Sequence, residues 1–195
     1  METQFFDVDS RLMAISDRAE LAAKEAFSAI GRITEFNQQK VLSAYIRHRV
    51  SETHFNPTTG YGYGDQGRDA LDEILADIMG AEDALIRHSI VSGTHAITIA
   101  LFGILRPGDT LLAATGAPYD TLEKVIGHTS PSAGSLAEYG VSYRQVDLLP
   151  DGTFDYEGIR RAINEKTKLI TIQRSKGYAT RPSFSVKEIG ELIAF

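Results

Sequence analysis

The sequence predicts an α/β fold: an N-terminal helical arm, then a mostly parallel sheet with helices on both faces. Two observations carry this. Across the first fifty residues apolar side chains recur only at helical spacing, and from Ala84 onward short β-branched runs alternate with helical segments. Such alternation requires crossover connections, which join parallel strands. In sheets of this kind ligands sit beyond the carboxyl ends of the strands, so the segments after Val91, Thr115 and Gln173 are the expected binding loops.

The arm reads as two helices. Leu12, Ile15, Ala19, Ala22, Ala23, Ala26, Phe27 and Ile30 mark the first, with an N-cap signal at Asp17 and Glu20; after Gly31, the set Ile33, Phe36, Val41, Leu42 and Tyr45 marks the second. With no strand between them, they are expected to form an arm or hairpin outside the main core, giving a boundary between residues 1–55 and 56–195. The segment NPTTGYGYGDQGR, Asn56 to Arg68, is a long glycine-rich loop, and a helix from about Asp69 to Met79 stops at Gly80. Then follow a strand ALIRHSIV, a helix from Thr94 to the stop at Arg106-Pro107-Gly108, a strand TLLAAT, and a helix from about Tyr119. The strand VSYRQVDL, a helix over Asp155 to Asn164, the strand KLITIQ and a helix from Val186, opened by a capping box at Ser185 and Glu188, complete the pattern. That last apolar helix reaches Phe195 with no following strand to receive it, so the chain is expected to be part of a longer protein.

Composition narrows the function. Of 195 residues 43% are hydrophobic and 24% charged, which is the balance of a globular domain, and the absence of cysteine removes disulfide scaffolds and thiolate metal sites. No metal site is expected. The net charge of −6 and the dispersed basic residues argue against nucleic acid as a partner. Glu2, Asp7 and Asp9 stand where a signal peptide would be basic and then apolar, and no run is long enough to span a bilayer, so a cytoplasmic location without membrane partners is expected.

Three loops carry candidate chemistry. Ser92-Gly93-Thr94-His95-Ala96 sits at a strand-to-helix junction, where free N–H groups, two hydroxyls and a glycine suit a phosphate; an ordinary N-cap reads the same way. Gly116-Ala117-Pro118-Tyr119-Asp120 places an aromatic in the next strand-end loop, either as a stacking platform or as a tyrosine packed in a turn. Gln173-Arg174-Ser175-Lys176-Gly177-Tyr178 groups amide, guanidinium, hydroxyl and ammonium donors suited to an anion, or forms a solvated loop.

The stretch GAEDALIRHSIVSGTHAITIALFGILRPGDTLL, Gly80 to Leu112, resembles fold type I pyridoxal-phosphate enzymes of cysteine and methionine metabolism. With GYGYGDQGRD at Gly60 to Asp69, GAPYDTL at Gly116 to Leu122 and QRSKGYATRPS at Gln173 to Ser183, the chain is most similar to the methionine gamma-lyase-like, or aluminium resistance, proteins. The resemblance implies the large domain of an aspartate-aminotransferase-like fold, of which this chain holds the N-terminal portion, and pyridoxal 5′-phosphate as cofactor. It implies that Ser92, Gly93 and Thr94 hold the cofactor phosphate, that Tyr119 stacks on the pyridine ring, and that Gln173, Arg174 and Ser175 lie near ring and substrate. Tyr61, Tyr63 and Arg68 match the loop that reaches toward a neighbouring subunit's phosphate, although the local pattern departs from the Tyr-x-Arg of the related lyases. His95 departs from the small or apolar residue usual there; it either lines the site or packs at the helix start.

By the same resemblance, the lysine that carries the cofactor as a Schiff base and the acid that holds the pyridine nitrogen protonated are expected beyond Phe195. Lys124, Lys166, Lys168 and Lys187 have no matching motif around them, and Lys176 belongs to the QRS motif. The expected function is the N-terminal part of a carbon–sulfur lyase, such as a cystathionine beta-lyase or methionine gamma-lyase, acting on a sulfur amino acid, inactive as this chain alone, and a homodimer or homotetramer at full length. The alternatives are a non-catalytic relative that serves as a binding or regulatory partner, and a fold type I aminotransferase or aldolase.

Overall fold

A computed structural model describes residues 6–130 and 132–195. Glu2, read above against a signal peptide, lies outside the described residues. The chain divides into two compact units, Met1–His88 and Ser89–Phe195.

The first unit is helical. α1 runs unbroken over Ser10–Arg47, so the expected pair of helices is corrected to one. Its N-cap is Asp9, whose carboxylate accepts the Arg11 N–H at 2.8 Å, and Asp17 sits inside the helix. Gly31 does not break it: isolated glycine costs a helix interior only about 1 kcal/mol. A 3-10 turn, Glu52–Phe55, leads to α2, Gln66–Met79, which ends on Gly80 in the left-handed conformation (φ +65°). Arg47 and His48, at the end of α1, pair with Asp77 and Glu73 of α2. The expected strand over 84–91 is absent. There the Ile86 N–H and the Arg87 guanidinium are both held by the Asp72 carboxylate of α2, at 2.7–2.8 Å, and no neighbouring strand among the described residues competes for this backbone.

The second unit is the α/β body. α3 (Gly93–Ile104), β1 (Thr110–Ala113), α4 (Asp120–Ile126), β2 (Ser142–Gln145), α5 (Tyr156–Ala162), β3 (Thr167–Thr171) and α6 (Val186–Ala194) follow in order. The three strands are parallel in the order β2-β1-β3, with Thr110 opposite both Ser142 and Thr167. β1 is central and wholly buried, because successive side chains point to opposite covered faces. Leu111 packs with Leu101, Leu105, Ile126, Leu136 and Val141 on the α3/α4 side. Leu112 packs with Val146, Phe154, Ile159, Phe184 and Leu192 on the α5/α6 side. These two layers fix the level at which β1 and β3 end, and so the position of the loops that follow them.

Candidate functional site

In the second unit a cavity of about 830 Å³ opens at the carboxyl ends of β1 and β3. Its apolar lining comes from the buried Leu101, Leu111 and Ile126 with Ile97 and Ile172, and its polar lining from the buried Thr115 and from Thr94, Thr121, Gln173, Arg174 and Ser175.

The start of α3 forms one side. Ser92 is extended (φ −161°, ψ 165°) and its hydroxyl accepts the His95 N–H at 3.1 Å. The N–H groups of Gly93 and Thr94 precede the first intrahelical bond and remain open. A Cβ placed on Gly93 would meet nothing within 4 Å, so a ligand can approach its backbone closely. The Thr94 and Thr121 hydroxyls lie 2.9 Å apart, bringing α3 and α4 together at the rim. Ser92 itself lies just outside the lining. His95 also points away: its Nδ1 accepts the Val91 N–H at 3.4 Å, which places it in the packing of the helix start.

The loops after β1 and β3 close the other side. Tyr119 donates its backbone N–H to Gln173 Oε1 at 2.8 Å, and the Gln173 N–H in turn goes to Thr115 Oγ1 at 2.9 Å. The Tyr119 ring faces that of Tyr178, with centroids 6.3 Å apart and planes inclined by 22°. The neighbouring Tyr178 hydroxyl, followed by the charge of Asp120, holds the Tyr119 phenol above its ordinary range. Arg174 reaches the Phe184 carbonyl at 3.0 Å. Arg181 spans the loop, donating to the carbonyls of Gln173 at 3.1 Å and Ser175 at 2.9 Å.

Six of the residues picked from sequence thus line one cavity: Gly93, Thr94, Tyr119, Gln173, Arg174 and Ser175. Tyr61, Tyr63 and Arg68 belong to the other unit. The two tyrosines are 82% and 87% exposed, and Arg68 is engaged locally, with the Gly60 carbonyl at 3.2 Å and the Asp65 carboxylate at 3.0 Å. Sequence reasoning missed Thr115, Thr121 and Arg181. Thr121 and Arg181 lie inside the motifs GAPYDTL and QRSKGYATRPS, but their roles depend on pairings between loops distant in sequence.

The donor set suits a phosphorylated aromatic: open amides and hydroxyls at a helix N-terminus for the anion, and a tyrosine platform beside an apolar wall for the ring. Pyridoxal phosphate fits these residues. Among the described residues no lysine, aspartate or glutamate lines the cavity.

A parallel α/β unit with open amides at the start of α3 beside the carboxyl ends of β1 and β3 has the arrangement that α/β proteins use to bind phosphorylated ligands, although loop, not the expected strand, leads into that helix. Comparison with known proteins gives the particular family. The chain belongs to the methionine gamma-lyase family, whose sequence profile matches residues 12–195. It is 57% identical to the Bacillus subtilis protein YnbB over 167 residues, which cover 85% of this chain and 40% of that protein. A Listeria innocua structure, a candidate cystathionine beta-lyase involved in aluminium resistance, superposes with a TM-score of 0.90 at 48% identity, covering 94% of this chain and 45% of that one. The structure of a carbon-sulfur lyase involved in aluminium resistance from Clostridium novyi matches at 0.88 and 43% identity, covering 95% of this chain and 44% of that one. The chain therefore spans a little under half the length of these relatives. The second unit is part of the α/β fold that these relatives share. No helix among the described residues is long and apolar enough to cross a membrane.

Proposed function

We propose that this chain supplies the phosphate- and ring-binding part of a pyridoxal-phosphate-dependent carbon–sulfur lyase that acts on a sulfur amino acid by β- or γ-elimination. The observation that carries the reading is the convergence of the α3 N-terminus, the Thr94 and Thr121 hydroxyls and Tyr119 on one cavity. The names of the structural relatives, carbon-sulfur lyase and candidate cystathionine beta-lyase, support the reaction class.

When bound, the cofactor supplies an electron sink for bond breaking next to the amino group. The open N–H groups of Gly93 and Thr94, with the Thr94 and Thr121 hydroxyls, bind the phosphate; the positive end of α3 adds to the attraction. Tyr119 orients the ring, and its own backbone is fixed by Gln173. Leu101, Leu111 and Ile126 exclude water behind it. Arg174 and Ser175 stand at the rim, where a substrate carboxylate would be met. In the assembled enzyme, a homodimer or homotetramer, the exposed Tyr61 and Tyr63 reach toward a neighbouring subunit's phosphate.

Proton transfer at the substrate Cα needs a base within hydrogen-bond reach, and no lysine among the described residues lines the cavity. The chain alone is therefore expected to bind the cofactor without turning over substrate. The test is to incubate it with pyridoxal phosphate and cystathionine, follow release of thiol and ammonia, then reduce with borohydride and map the adduct by mass spectrometry. No release and no stoichiometric adduct are expected; turnover, or a stable adduct at Lys176, would contradict the reading.

A further inference from the structure

α1 has 38 residues, about 57 Å of helix, yet Ala44 is its only buried residue. Leu12, Ile15, Ile33 and Phe36 are 60%, 53%, 63% and 69% exposed, and the alanines at 19, 22, 26 and 29 are exposed as well. Together these eight positions follow an alternating three- and four-residue spacing, the seam of a helix that packs along another helix.

The order of sizes along this seam is symmetric about Lys24. Leu12 and Phe36 lie equally far from it on either side, as do Ile15 and Ile33, Ala19 and Ala29, and Ala22 and Ala26. We infer that this face docks on the same face of a second copy of the chain, antiparallel, about a two-fold axis at the level of Lys24. The small central residues let the two backbones approach, and the bulky ends of one helix meet those of the other. An isologous contact of this kind needs each residue to face its symmetry mate, which the pattern provides. Antiparallel pairing also opposes the helix dipoles. It sends the Arg47–Asp77 and His48–Glu73 junctions with α2 to opposite ends of the pair, where parallel pairing would crowd them side by side.

Burying a side chain of Leu, Ile or Phe type removes on the order of 100 Å² of apolar surface. The four bulky seam residues and the flanking Ile30, 58% exposed, then give roughly 1,000 Å² for the pair before the alanines are added, which reaches the size of a specific interface. This inference goes beyond the lyase reading and needs no cofactor.

The chain has no cysteine, so introduced thiols report alone. In a mixture of Ile15→Cys and Ile33→Cys chains, the antiparallel register sets the thiol at position 15 of one copy against the thiol at position 33 of the other. Two copies of position 15 would lie about 27 Å apart along the axis, beyond the reach of a disulfide. Oxidation of the mixture should yield a linked heterodimer, while each variant oxidised alone stays unlinked. Linking within each variant alone would mean parallel pairing and overturn the inference; no linking anywhere would mean that another segment or protein covers the face, and overturn it too. Sedimentation of Ala22→Glu supplies a second reading: self-association should weaken at least tenfold with helical circular dichroism unchanged, and unaltered association would contradict the inference.

Discussion

Gly177 stands at φ +55°, and a Cβ there would sit 3.1 Å from the Tyr119 ring. The glycine and the ring are therefore set together, and Gly177→Ala is expected to cost about 1–2 kcal/mol in thermal unfolding and to loosen cofactor binding at the same time. Thr94→Val removes a hydroxyl from the proposed phosphate cradle while keeping the side chain's shape. The expected result is a cofactor affinity about tenfold weaker, the equivalent of about 1.4 kcal/mol, with the melting temperature of the free chain little changed. Thr94 was legible in the sequence from the Ser-Gly-Thr signal of a helix start, and Tyr119 and Gln173 from loops that follow strands, all without tertiary information; the strand expected before Thr94 did not form. Thr121 and Arg181 were not, since the Thr94–Thr121 contact and the Arg181 bridge across 173–175 exist only once the loops converge.

At the scale of elements, periodicity found the seven segments of the second unit, and each was placed to within a few residues. It failed in the first unit for two physical reasons. The α1 pattern was split at Gly31, although one interior glycine is tolerated in a long helix, and the 84–91 run has strand composition but gives its Ile86 N–H and Arg87 guanidinium to Asp72. The second failure has a general cause: β-branched content measures fit to a pleated surface, and no partner strand is present among the described residues. α6 is held by a full capping box, with the Ser185 hydroxyl accepting the Glu188 N–H and the Glu188 carboxylate accepting the Ser185 N–H. Ser185→Ala is expected to cost about 1 kcal/mol in denaturant unfolding. Leu112→Ala, which opens a cavity between β1 and the α5/α6 layer, is expected to cost about 2–5 kcal/mol.

For the whole molecule, stability at alkaline pH should depend on Tyr143, whose phenol lies against His128 (ring centroids 4.6 Å apart) and is pushed up to about 12, first by burial and then by the charges of Asp147 and Glu123. A phenol whose folded value is raised favours the folded state fully below its unfolded value near 10, and that contribution is lost as the pH rises through about 12. Unfolding free energy should therefore fall between those limits, and Tyr143→Phe should flatten the fall; an unchanged slope would show that other groups govern it. The proposed function, in turn, rests on the cavity at the ends of β1 and β3. Equilibrium dialysis of pyridoxal phosphate against the wild-type chain, Thr94→Val and Tyr119→Ala tests it most directly. Saturable binding at one site per chain, weakened by both substitutions and competed by inorganic phosphate, is the predicted result. Absence of saturable binding, or binding indifferent to both substitutions, would contradict it.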